Sequence, residues 1–332
     1  MSDPQLHAAI DAVRRAGKLC KLLQAGLASG EVIKGDGSPV TVADFAAQVV
    51  VVRTLIEHGV DAAIAGEEQA DALQRDPALR RSVTDALRHT QAWADVTERD
   101  VIDTLSHRAW FGDALPDRAW VIDPIDGTKG FIAQRQFAVC LALIERGEVT
   151  IAALGCPNLK LDPASDPSAI DAHGTVIACR RGGGIVHGTL DDTRLRPVPP
   201  RSLDARRSPI LTFSVEPSEG RVRNFDALAD EMQRRFGRRP VALSMDSQAK
   251  YALVARGQAD IYDRPPRRNF EKSWDHAAGC LLIEEAGCVV TDALGEPLDW
   301  TCVTLSKTRG ILGAPADLHA QVLAARRATG LA

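Results

Sequence analysis

Apolar residues recur at helix-like spacing between 5 and 28, at Leu6, Ile10, Val13, Leu19, Leu22 and Leu23, and this pattern predicts an amphipathic helix. A loop follows over 34–39, and Thr41 or Val42 stands near the cap of a second helix that runs to about His58. The short apolar run 62–65 predicts a strand that empties into Gly66-Glu67-Glu68. Positions 70–117 are polar and weakly patterned, and predict helix plus loop. A strand is expected over 120–125, then a hairpin of 137–144 and 149–154 across Arg146-Gly147. After a loop rich in Pro, Asp and Ser at 161–172, strands are expected near 175–179, 185–187, 210–215, 241–243, 259–262, 289–291 and 311–313. Helices are expected over 221–236, 247–256, 274–286 and 316–328. The basic stretch 194–207 reads as an exposed loop. Helices alternating with strands predict a layered α/β fold, with a subdomain boundary just after Cys156-Pro157-Asn158.

Composition narrows the class. A chain of 332 residues is long for one core and suits two subdomains, 1–157 and 158–332. Hydrophobic residues at 45% and charged residues at 25% are ordinary for a globular enzyme. A formal net charge of -4 gives no support for a nucleic-acid polymer as partner. The seven cysteines are scattered, with no CxxC pair and no zinc-like cluster, which predicts reduced thiols in the cytoplasm. The polar start Met1-Ser2-Asp3-Pro4 has no apolar signal core behind it, and no apolar run approaches the roughly 20 residues that span a bilayer.

Candidate chemistry sits at the strand ends. In Trp120-Val121-Ile122-Asp123-Pro124-Ile125-Asp126-Gly127-Thr128 an apolar strand delivers two carboxylates three residues apart. Such a pair repels itself unless something cationic lies between. Hard oxygen ligands, with the Ile125 carbonyl between them, suit Mg2+. The structural alternative is a turn that Asp123 caps. Of Glu67 and Glu68, adjacent residues facing opposite ways, Glu67 is favoured for the metal; a solvated acidic turn is the alternative. Asp44 stands early in a helix as a cap, or as a base that orients water through Thr128. Asp275, in Trp274-Asp275-His276, is an N-cap, or bridges a second metal if its helix start faces the Asp123/Asp126 strand end. His276 beside it is assigned to packing rather than catalysis. Asp246-Ser247-Gln248-Ala249-Lys250 opens a helix whose free N–H groups, Ser hydroxyl and Lys make a phosphate seat, ordinary capping being the alternative. Arg264, Arg267 and Arg268 clamp a second phosphate or are solvated. Gly182-Gly183-Gly184 lacks a following Lys-Ser/Thr and reads as a turn at a strand edge.

Gly66-Glu67-Glu68, then Asp123-Pro124-Ile125-Asp126-Gly127-Thr128, then Trp274-Asp275 before a small-residue helix occur in one order. Together they resemble the magnesium-dependent inositol monophosphatase superfamily. The segments Ser38-Pro39-Val40-Thr41, Gly155-Cys156-Pro157-Asn158-Leu159, Met245-Asp246-Ser247-Gln248-Ala249-Lys250-Tyr251 and 255–262 are similar to its 3'(2'),5'-bisphosphate nucleotidase branch, and the similarity covers about 30–315.

The resemblance implies a layered α-β-α-β-α sandwich of the sugar-phosphatase type, with a metal-binding N-terminal part and a substrate-binding C-terminal part. It implies removal of the 3'-phosphate of 3'-phosphoadenosine 5'-phosphate by metal-activated water, with the sulfated form of that nucleotide as a second candidate substrate. Two or three Mg2+ ions are implied: Glu67, Asp123 and the Ile125 carbonyl for one, and Asp123, Asp126 and Asp275 for the second. Asp44 and Thr128 would position and deprotonate the water, while the Gly127 and Thr128 amides receive the scissile phosphate. Ser247, Lys250 and Arg264 would meet the nucleotide's phosphates, and Ser214 and Glu216 line its sugar and base. The branch's histidine soon after Ser214-Val215-Glu216 is absent here, where Pro217-Ser218-Glu219-Gly220 follows. The alternatives are an inositol (poly)phosphate or fructose-1,6-bisphosphate phosphatase and, from another class, a non-catalytic nucleotide-binding sensor. Oligomeric state is not legible.

Overall fold

A computed structural model of the chain describes residues 3–29, 39–199, 201, 207–214, 219–266 and 270–331. Two amphipathic or apolar helices, α1 (Pro4–Ser29) and α2 (Pro39–Glu57), precede β1 (Ala63–Gly66). Three short helices follow: α3 (Ala70–Arg75), α4 (Pro77–His89) and α5 (Glu98–Ser106). Thr97 and Asp100 form a capping box at the start of α5, and Leu79, Val83, Ala86 and Leu87 give α4 its buried stripe. Next come β2 (Arg118–Asp126), α6 (Thr128–Ile132), β3 (Ala138–Glu145), β4 (Glu148–Cys156), β5 (Thr175–Arg180), β6 (Ile185–Gly188) and β7 (Arg196–Pro197). The remainder is β8 (Ile210–Phe213), α7 (Glu219–Phe236), β9 (Val241–Ser244), α8 (Ala249–Ala255) and β10 (Ile261–Arg264), then a 3-10 turn (Ser273–Asp275), α9 (Ala277–Glu285), β11 (Val289–Thr291), β12 (Ile311–Ala314) and α10 (Ala316–Thr329).

The first sheet runs β1-β2-β3-β4-β5-β6-β7, and only its β1–β2 pair is parallel. It continues across positions 157–158, because β5 pairs with β4. The second sheet runs β11-β12-β10-β8-β9. Strand alternation sends Trp120, Ile122, Leu141 and Leu143 into a core with α1 and α2, and Val121, Cys140, Ala142 and Leu154 into a second core with α8 and α9. α9, buried over Ala277–Ile283, lies between the two sheets. Leu211, Ile261 and Leu312 on the far face of the second sheet meet α7 and α10. The order is therefore helix, sheet, helix, sheet, helix, the expected five-layer α/β sandwich. No helix among the described residues is long and apolar enough to cross a membrane.

Two local differences from the sequence reading have physical causes. The one-turn helix α6 is new; Gly127, left-handed at φ 86°, precedes it and lets the chain turn out of the strand. Part of 194–207 is not an exposed loop: Arg196 and Pro197 pair with β6, and Arg201 is buried. Arg201 and Arg207 both bind the fully buried Asp260 carboxylate, at 3.1 and 2.6 Å, so these two basic side chains are paired internally. The triple glycine 182–184 is, as expected, a turn at a strand edge, between β5 and β6, and it takes in a carboxylate: the Gly182 and Gly184 amides donate to Glu285 at 2.7 and 3.0 Å.

Candidate functional site

The site grows from the end of β2. Positions three apart on an uninterrupted strand face opposite sides. Asp123 pairs with Cys140 and Asp126 with Ala138, so three steps on β2 oppose two on β3. This is a β-bulge at Pro124-Ile125, and the extra residue turns both carboxyls into one space. The parallel neighbour β1 brings Glu67 alongside, its amide donating to the Ile122 carbonyl at 3.2 Å.

Glu68 is fixed by a residue that sequence reasoning passed over. Gln48 accepts from the Glu68 amide at 3.0 Å and donates to its carbonyl at 2.6 Å. A Cβ on Gly66 would lie 2.4 Å from Gln48 Nε2, so only glycine lets this clamp close. Gln48 is one helical turn beyond Asp44 on α2, and the same helix therefore carries both to the strand ends. From the other side, the 3-10 turn presents Asp275, whose carboxylate accepts from the Lys272 amide at 3.2 Å. The apolar helix expected from 274 begins at Ala277, so Asp275 belongs to the preceding turn rather than capping α9.

Electrostatics report the convergence. Burial lifts Asp44 to about 9, with Glu68 and Glu67 adding repulsion. Glu68 rises to about 7 through burial and Glu67, and Asp275 to about 7 through burial and Asp126. Burial, followed by Asp126, Glu67, Asp275 and Asp44, pushes Asp123 well above the carboxylate range. Asp126 is also raised by burial, against Lys250, the Gln248 amide and Arg264, which pull it down. Glu67 is raised by burial and Asp126 while its carboxyl is hydrogen-bonded to Asp123. Asp123 Oδ1 is buried without a hydrogen-bond partner among the described residues. A hard divalent cation supplies what such an oxygen set lacks, so these residues fit Mg2+.

Beyond the acids lies a cavity of about 580 Å³, lined by Asp126, Gly127, Thr128, Ser214, Ser247, Lys250, Tyr262, Arg264 and Asp275 among others. Thr128 Oγ1 donates to the Ile125 carbonyl at 3.3 Å. Lys250 is buried and donates to the Met245 carbonyl at 3.0 Å. Arg264 makes a two-pronged pair with Glu271, at 2.8 and 2.7 Å through Nε and Nη2. Glu271 also reaches His276 Nε2 at 3.2 Å, while Tyr251 holds its Nδ1 at 2.9 Å. Burial lowers His276 to about 4, and it is a packed, neutral ring.

One expectation needs correcting. The amides after Ser247 are not a free anion seat: Gln248 N–H donates to Asp126, and Ala249 N–H donates to Ser247 Oγ at 3.1 Å. Asp126 points an acceptor at this corner and uses the donor first. Glu216, Arg267 and Arg268 lie outside the described residues.

A family model described as the inositol monophosphatase family matches residues 1–331. A Schizosaccharomyces pombe protein named 3'(2'),5'-bisphosphate nucleotidase is 34% identical, covering 98% of this chain and 96% of its own. A protein of the same name from Oryza sativa is 33% identical, covering 90% and 86%. Among solved structures, CysQ from Bacteroides thetaiotaomicron, described as a bacterial member of the inositol monophosphatase family, superposes with a TM-score of 0.62 at 22% identity, covering 95% of this chain and 98% of its own. An inositol monophosphatase from Anabaena superposes with a TM-score of 0.59 at 22% identity, covering 97% and 95%.

Proposed function

The chain belongs to the inositol monophosphatase family, and from that premise we propose that it is a Mg2+-dependent 3'(2'),5'-bisphosphate nucleotidase, a phosphoric monoester hydrolase that takes the 3'-phosphate from 3'-phosphoadenosine 5'-phosphate. The observation that carries this reading is the meeting of Asp44, Glu67, Asp123, Asp126 and Asp275, from four distant segments, beside a cavity walled by Lys250 and Arg264. Relatives at 33–34% identity over 90% or more of the chain carry the nucleotidase name, which favours this substrate over inositol phosphates or fructose 1,6-bisphosphate.

Glu67, Asp123 and the Ile125 carbonyl would hold one cation, and Asp123, Asp126 and Asp275 a second, with two or three ions in all. When bound, Mg2+ supplies charge neutralisation for the phosphoryl group and an acidified water for in-line attack. The chain's own groups do the rest. The Thr128 amide would receive the scissile phosphate at the left-handed turn, joined by the Gly127 amide, which bonds the Asp126 carboxylate here, once a cation takes that carboxylate. Thr128 Oγ1 orients the attacking water, and Asp44 takes its proton. Ser247, Lys250 and Arg264 face the second phosphate, with Glu271 taking the Nε/Nη2 edge of Arg264 and so fixing its guanidinium in the cavity wall. Ser214 and Glu216 serve the sugar and base. The seven unpaired cysteines support a reducing, cytoplasmic setting.

The test compares phosphate release from 3'-phosphoadenosine 5'-phosphate, its sulfated analogue and inositol 1-phosphate in Mg2+. Preference for the bisphosphate nucleotide is expected. Preference for inositol 1-phosphate would transfer the reading to the sugar-phosphate side of the family, and release from none would favour the nucleotide-binding sensor.

A further inference from the structure

Gln248 is only 2% exposed, yet the proposed chemistry gives it no role. Its carbonyl accepts from the Tyr251 and Ala252 amides of its own helix, at 2.9 and 3.4 Å, while its N–H and its side chain reach the segments around Asp126 and Asp275. The backbone amide donates to the Asp126 carboxylate. Side-chain Nε2 donates to the carbonyl of Trp274, the residue before Asp275, at 2.9 Å. Side-chain Oε1 accepts from the Gly279 amide at 3.2 Å, in the first turn of α9. That amide belongs to a helix start, where N–H groups lack partners within the helix. One residue thus holds the end of β2 with its backbone and the Asp275 turn with its side chain.

The contact has no slack. A Cβ on Gly279 would lie 2.2 Å from the Tyr251 ring, so α8 and α9 already touch where the glutamine bridges them. The Asp126 and Asp275 carboxyls sit on separate segments, and burial plus mutual repulsion would drive them apart. Something rigid has to fix their separation, and the Gln248 amide, used at both ends, does so without adding charge.

We propose that Gln248 is a positioning residue that sets the distance between Asp126 and Asp275, and so controls the affinity for the cation they share. This rests on the metal assignment above. The cation held by Glu67, Asp123 and the Ile125 carbonyl takes no ligand from Asp126 or Asp275 and is seated by the β1–β2 pair, so it depends less on Gln248.

The experiment is calorimetric titration of the chelator-stripped full-length protein with Mn2+, alongside thermal unfolding. The Gln248→Met variant keeps the length of the side chain and removes both hydrogen bonds. It is expected to weaken one Mn2+ step by about 10- to 100-fold, the scale for losing a group that orients a ligand, while another step stays within about twofold. Gln248→Asn, polar but too short to reach, is expected to do the same and decides the matter if the Met variant does not fold. A buried control away from the site, Thr54→Val, removes a hydrogen bond of 2.7 Å to the Val50 carbonyl and is expected to lower the melting temperature without moving either step. Wild-type Mn2+ affinities in the Gln248 variants, or equal weakening of every step, would overturn the proposal and leave the metal assignment standing. A wild-type protein that binds no Mn2+ would overturn the metal assignment itself.

Discussion

Asp126 is the residue on which most local forces converge. It is buried, repelled by its neighbours and held by the Gln248 amide, Lys250 and Arg264. Replacing it with asparagine removes a charge that burial already disfavours, so the fold is expected to survive. Turnover is expected to fall at least about a thousandfold, because a cation contributes several kcal/mol to phosphoryl transfer. Circular dichroism and phosphate release check the two halves of this prediction; retained activity in a folded Asp126→Asn protein would refute the role. Asp123 and Asp126 were visible in the sequence because paired carboxylates at an apolar strand end have few structural uses, whereas Glu67, Asp44 and Asp275 read locally as turn or cap residues and stood out only through the resemblance. Gln48, Gln248 and Glu271 were not visible. A glutamine on a helix reads as a neutral surface residue, and what makes these two important are backbone groups 20 to 31 positions away. The free-amide phosphate seat at Ser247 was misjudged for the same reason, since its taker, Asp126, lies 122 positions upstream.

Between elements, α8 and α9 form a tight joint. Tyr251 stacks on Tyr262 with ring centroids 3.9 Å apart and leaves no room over Gly279. A rigid ring cannot yield as a flexible chain end would. Gly279→Ala is therefore expected to destabilise the protein by about 1–3 kcal/mol through overpacking, measured by urea unfolding. An unchanged midpoint would show that the helices separate freely. Long elements such as α1, β3 and β4 were legible from their periodicity. The short ones were not: α6 is five residues, too few to show a 3.6-residue repeat, and β7 is two residues that become a strand only by pairing with Val186 and His187. The bulge in β2 was equally hidden, although Pro124 marks the place where the ladder has to open.

Over the whole molecule, the layered α/β class follows from alternating elements, but the assignment of helices to layers does not. α2 and α9 are apolar on nearly every side, and only the sheets decide where each is buried. The acidic site that this layering closes has a global consequence. Asp275 and Glu68 at about 7 and Asp44 at about 9 bind protons more tightly folded than unfolded, where such groups release them near 4. Between those values the folded state holds more protons, so the stability of chelated protein is expected to fall as pH rises from about 4 towards 9. Bound Mg2+ replaces those protons, so the melting-temperature gain on adding Mg2+ is expected to be larger at pH 8 than at pH 5. An equal gain at both values would argue that the cation binds elsewhere.

The most direct test of the central claim is anomalous diffraction from a crystal of the protein soaked in Mn2+. Peaks are expected among Glu67, Asp123, Asp126 and Asp275, and lost from that cluster in the Asp126→Asn protein. Strong peaks on other carboxylates with none in this cluster would contradict the account.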